Sequence, residues 1–64
     1  MEDIITAEQI IGPQELASLL KVSVKWVYDH TTRSKPTIPH IRLGGHLRFR
    51  KSTVMRWVEQ METS

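Results

Sequence analysis

Residues 41–50 read IRLGGHLRFR. Apolar and basic side chains alternate on both sides of a Gly-Gly pair, the period-two pattern of two antiparallel strands joined by a tight turn. Burying Ile41, Leu43, Leu47 and Phe49 together requires that they share one face, and directly opposed residues do share a face. The register that follows sets Leu43 opposite Leu47 and Ile41 opposite Phe49, with Gly44, Gly45 and His46 as a three-residue loop. A two-residue loop would bring Ile41 to the face of Arg48 instead. The same register sets Arg42 opposite Arg48 on the outer face, a like-charge pair that costs a few tenths to about 1 kcal/mol. Arginine's planar fork suits phosphate, so a phosphate backbone against the hairpin offsets that repulsion. The alternative is that the two side chains splay into water.

Working outward, residues 51–61 (KSTVMRWVEQM) carry Val54, Trp57, Val58 and Met61 at i, i+3, i+4 and i+7. That spacing predicts an amphipathic helix with Ser52 as N-cap and Trp57 in the core. The preceding stretch RSKPTIPH, 33–40, holds two prolines and reads as a loop. Before it, Ser23 caps a helix over about 23–32, with Val22 and Val27 at staple spacing. Val24, Val27 and Thr31 fall on one face with Tyr28 at its edge, while Lys25, Trp26, Asp29 and Arg33 collect opposite. Gly12-Pro13-Gln14-Glu15 reads as N-cap, proline at the first helical position and an acid in the first turn. Ile11 and Leu16 form a second staple; Leu16, Leu19 and Leu20 share a face, and Ala17 admits a crossing helix. This helix ends near Lys21. Two short helices so close in sequence must cross, as in a helix-turn-helix. Upstream, in DIITAEQII, either Thr6 and Gln9 cap a short turn or the isoleucines cover the core.

The chain has 64 residues and no cysteine, so one domain must hold together by packing alone. His30, His40 and His46 fit no zinc spacing, and no metal or cofactor is expected. No apolar run spans a membrane and no signal peptide is visible, so a cytoplasmic, nucleoid-associated protein is expected. The formal net charge of +2 conceals a segregation: residues 21–56 hold all nine Lys and Arg against one acid, Asp29, giving 9 − 1 = +8. Acids lie on both sides, at Glu2, Asp3, Glu8 and Glu15 and at Glu59 and Glu62. Signs separated in this way mark the footprint of a polyanion rather than an ordinary mixed surface.

The stretches ELASLLKVSVKWVY, PHIRLGGHLRFRKS and VMRWV, together spanning roughly residues 12–61, resemble the excisionase-type small winged helix-turn-helix proteins, relatives of the MerR-like regulators. The resemblance implies a mainly α, α+β winged helix-turn-helix with three helices and a two-stranded antiparallel wing. An N-terminal arm (1–11) and a short tail (62–64) flank the domain at 12–61. In that family the second helix enters the major groove and the wing touches the backbone or minor groove. Ser23, Lys25, Trp26, Tyr28 and Asp29 are thereby recognition-helix candidates, and Arg42, Gly44, Gly45, His46 and Arg48 belong to the wing. Family members steer a phage or mobile-element integrase toward excision, or act as small transcriptional regulators, without catalysis. The chain departs from the family pattern at Trp26, usually small and polar, at Asp29, often basic, and in a longer loop before the wing.

Thr32, Arg33, Arg50 and Lys51 complete the DNA-binding set; the charges available to phosphate are Lys21, Lys25, Arg33, Lys35, Arg42, Arg48, Arg50 and Lys51, and about five of them engaged would give a log–log salt slope near −4 to −5. Lys25 suits guanine O6 and N7; Asp29 suits either cytosine N4 or an i, i+4 pair with Arg33. Trp26 comes out exposed beside the basic stripe, either against a thymine methyl or sugar edge or folded against the wing or a neighbouring protomer. So small a domain covers a short site, so cooperative self-association on adjacent repeats is expected. Enzymes are disfavoured, since no nucleophile constellation, metal site or phosphate-cradling loop is present. The rival reading is a protein-interaction module whose basic, Trp26-bearing face takes an acidic partner.

Overall fold

The computed structural model describes residues 10–62, in the order β1 (Ile10–Ile11), α1 (Pro13–Leu20), α2 (Val24–Thr32), β2 (Ile41–Leu43), β3 (His46–Arg50) and α3 (Lys51–Met61). The mainly helical winged helix-turn-helix is as expected, except that the sheet has three strands, ordered β1-β3-β2, rather than two. The extra strand comes from the end of the N-terminal arm: Ile10 pairs with Arg50 and Ile11 with Phe49. The turn proposed around Thr6 and Gln9 lies outside the described residues.

Helix α1 starts as its sequence dictates. Gly12 is extended, Pro13 supplies the fixed φ of the first turn, and the Gly12 N–H donates to Glu15 Oε1 at 2.9 Å. Leu16 and Ala17 are buried and Leu20 packs against them, but Leu19 is 40% exposed, contrary to the expected face. The buried direction runs between Leu16 and Ala17, and at 3.6 residues per turn Leu19 lies about 110° away from it. Lys21 then adopts the left-handed conformation (φ 59°, ψ 47°). The Lys21 and Val22 N–H groups donate back to the Ser18 and Ala17 carbonyls at 3.3 and 3.0 Å, closing the helix as a Schellman turn does. This reversal delivers Ser23, whose Oγ accepts from the Trp26 N–H at 3.0 Å and starts α2.

Val27 is fully buried, and Thr31 is buried with its hydroxyl donating to the Tyr28 carbonyl at 2.9 Å. The loop after α2 contributes more than a connection. Ile38 donates its N–H to the His30 carbonyl at 2.8 Å and buries its side chain completely. It joins Leu16, Ala17, Val27, Leu47, Phe49 and Val54 in one core.

The hairpin register differs from the sequence expectation. Ile41 opposes Arg48, Arg42 opposes Leu47 and Leu43 opposes His46, leaving Gly44-Gly45 as a two-residue turn. Both glycines take positive φ, +53° and +94°, which a two-residue hairpin turn of the primed type requires and which glycine supplies without strain. The four apolar residues therefore do not share a face: Leu47 and Phe49 are buried, Leu43 is 51% exposed, and Arg42 does not oppose Arg48. Helix α3 follows β3 without a linker, so its N-cap is Arg50 rather than Ser52. Val54 enters the core, Trp57 and Val58 pack at its edge, and Met61, 37% exposed, stays outside it.

Candidate nucleic-acid interface

The exposed face of α2 is defined by what its other face buries. With Val27 and Thr31 inward, Lys25, Tyr28, Asp29 and Thr32 point outward. Lys25 and Asp29 are bound to each other, Nζ to Oδ2 at 2.9 Å, rather than Asp29 to Arg33. The i, i+4 offset allows either partner, but Arg33 sits at the helix end, where its backbone N–H caps the Asp29 carbonyl at 3.0 Å. The Lys25 hydrogen bond holds the Asp29 carboxyl below the usual carboxylate range. Burial, the next largest effect, opposes it, and the charges of Lys25, Arg33 and His30 add to the lowering. The pair is exposed enough that its worth lies in orientation rather than stability.

Tyr28 is 48% exposed and faces an open groove of about 460 Å³ lined also by Gln14, Glu15 and Arg48. Helix α2, the N-terminus of α1 and the wing strand β3 thus meet at one surface. Arg48 is half-buried there and donates from Nη1 to the Leu47 carbonyl at 2.7 Å, which fixes its direction. Gln14 was not singled out from the sequence, because its proximity depends on β1 pairing with β3, a contact two residues long with no periodic signal. Arg42, Gly44, Gly45, His46, Arg50 and Lys51 are all exposed. No atom lies within 4 Å of where a Cβ would stand on either wing glycine, so the tip is slender and open.

Besides Lys25, Asp29 and Arg48, three more expected site residues have their groups engaged within the protein. Ser23 Oγ is the helix cap, and the Thr32 hydroxyl donates to the Tyr28 carbonyl at 3.2 Å. Trp26 is half-buried, not exposed: it packs against the core and stacks on His30 with ring centroids 3.9 Å apart. His30 Nδ1 in turn lies 2.9 Å from the Pro36 carbonyl, so the stack anchors the loop between α2 and β2. A side chain at i, i+4 from a histidine can stack along the helix flank, and a face count by polarity alone does not register that.

Among the described residues no group of three or more His, Cys, Asp and Glu is arranged to hold a metal ion. Among them also, no helix is long and apolar enough to cross a membrane. The sequence profile of a family described as a helix-turn-helix domain matches residues 11–62. Comparison with curated proteins and with solved structures returns no match.

Proposed function

The chain belongs to the helix-turn-helix domain family, and from that premise we propose that it binds double-stranded DNA sequence-specifically, without catalysis. Helix α2 lies in the major groove and the Arg-bearing wing follows the backbone or adjacent minor groove. The observation that carries this reading is the shared groove of Tyr28 and Arg48, which puts helix and wing on one surface. Phosphates supply most of the affinity, through about five of Lys21, Arg33, Arg42, Arg48, Arg50 and Lys51. The Lys25–Asp29 pair is a ready donor–acceptor couple for guanine O6/N7 and a neighbouring cytosine N4. Tyr28 and Gln14 add hydrogen bonds to phosphate at the groove.

On this reading the protein is an excisionase-type directionality factor working with an integrase, or a small transcriptional regulator. Several copies bind adjacent repeats cooperatively. The rival reading, an acidic-protein module anchored by Trp26, loses its anchor to the His30 stack.

The deciding experiment is fluorescence anisotropy of a labelled mixed-sequence duplex across a salt series. About five phosphate contacts give a log–log slope near −4 to −5, and Arg48→Ala weakens binding on every sequence. Absence of binding at low salt overturns the proposal.

A further inference from the structure

The groove between α1, α2 and the wing holds one acid and one base that do not pair. Its walls carry Gln14, Glu15, Tyr28 and Arg48, and Glu15 is the one carboxylate among these described residues. Continuing the β1–β3 pairing by one residue sets Gly12 beside Arg48. A Cβ on Gly12 would stand 3.8 Å from Glu15 Oε1 and 3.9 Å from Arg48 Nη1, so the carboxylate and the guanidinium flank the same point of the chain. They are therefore closer than the screening length, about 10 Å at 0.1 M salt. Each is nevertheless held by a backbone partner. Glu15 Oε1 accepts from the Gly12 N–H at 2.9 Å, and Arg48 Nη1 donates to the Leu47 carbonyl at 2.7 Å. No ion pair joins the two among the described residues.

We propose that Glu15 is a specificity-determining residue: its carboxylate is a fixed brake that lowers the affinity of Arg48 for phosphate. A direct ion pair would break as an anion arrived and release the arginine. Glu15 is instead held by its cap, so its field persists in the complex and repels a phosphate placed against Arg48. Arg48 is half-buried with its direction fixed, so it does not swing clear of that field. The cap alone has no need of the charge, since glutamine closes a capping box as glutamate does. What the brake does for recognition rests on the DNA reading above. A duplex aligned by base contacts presents one phosphate in one register, and Arg48 takes it from the side away from Glu15. A duplex held by phosphates alone slides through many registers and meets the carboxylate in most of them. The penalty then falls mainly on mixed sequence, as a repulsive element built against wrong partners does.

The test is an anisotropy titration of the full chain on two duplexes, one of mixed sequence and the strongest recovered from a randomised pool. Glu15→Gln should bind the mixed duplex severalfold more tightly than the wild type at low salt and the selected duplex by a smaller factor, so that discrimination falls. The gain should shrink as salt rises and vanish in an Arg48→Ala background. Thermal melts of Glu15→Gln and the wild type should nearly coincide, because the cap survives. Glu15→Ala, which gives up the cap, should melt lower and still show the gain, which separates charge from fold. Unchanged or weaker binding by Glu15→Gln overturns the proposal. So does a gain that is equal on both duplexes or that survives Arg48→Ala. Tripolyphosphate, followed through the Arg48 side chain and the Tyr28 amide of ¹⁵N-labelled protein, gives a readout without DNA. If the chain bound no duplex at low salt, yet Glu15→Gln took tripolyphosphate more tightly than the wild type and only with Arg48 present, the DNA reading would fall and the brake would stand.

Discussion

Lys25 and Asp29 hold each other at 2.9 Å on the exposed face of α2, so neither charge is freely available to a ligand. Because the Asp29 pKa is lowered in the folded protein, what its ionised form contributes is present above the ordinary carboxylate range and is lost as acid titrates it through the lowered value. A ¹³C titration of the Asp29 carboxyl should therefore give a midpoint below that of an ordinary aspartate. Lys25→Met should raise that midpoint more than Arg33→Met does, since the Lys25 hydrogen bond is the leading cause; an equal response would assign the shift to general field rather than to contact. Asp29→Asn releases Lys25 to phosphate. Anisotropy should then show tighter binding to mixed-sequence DNA, with a salt slope steeper by about 0.9 for the freed contact and poorer discrimination between sites.

At the scale of elements, the caps and the wing turn carry the information. Helix and loop positions were legible because Gly12-Pro13, Ser23, and the prolines at 36 and 39 are local signals with local consequences. The hairpin register was not, because it was inferred by assuming that four apolar residues share one buried face. The turn overrides that assumption: consecutive positive φ values at Gly44 and Gly45 make a two-residue connection and shift the pairing by one. Urea denaturation distinguishes the registers. Leu43→Ala should change stability by about 0.5 kcal/mol or less, as an exposed substitution does, whereas burial opposite Leu47 would make it cost about 2–5 kcal/mol. Lys21 offers a separate check on the turn between α1 and α2. A non-glycine residue in the left-handed region is strained, so Lys21→Gly should stabilise the fold by up to about 1 kcal/mol while flattening the salt slope by about 0.9 if Lys21 contacts phosphate. A stability loss would mean that the Lys21 side chain has a structural contact of its own.

For the molecule as a whole, one small core has to hold together the helix pair and the wing on which the proposed DNA reading depends. Phe49 is fully buried on β3 between its two neighbours, and Ile38 is fully buried from a loop that no periodicity marks; its burial arises from the His30 carbonyl drawing that loop across α2. Domains of this size rarely exceed about 3–5 kcal/mol of stability from a single core. Phe49→Ala, at about 3–5 kcal/mol, should therefore leave the chain unfolded. Ile38→Ala, at about 2–5 kcal/mol, should leave it at the edge of folding, and that makes it the more informative variant. A ligand that binds only the folded state adds RT ln(1 + [L]/Kd), about 2.7 kcal/mol at a hundredfold excess over Kd. Duplex DNA at that excess should restore helical circular dichroism and a cooperative melt to Ile38→Ala, and raised salt should remove the rescue by weakening the phosphate contacts. Rescue by an acidic polypeptide equal to that by duplex would instead show that the basic face takes polyanions without regard to the groove geometry that joins Tyr28 to Arg48.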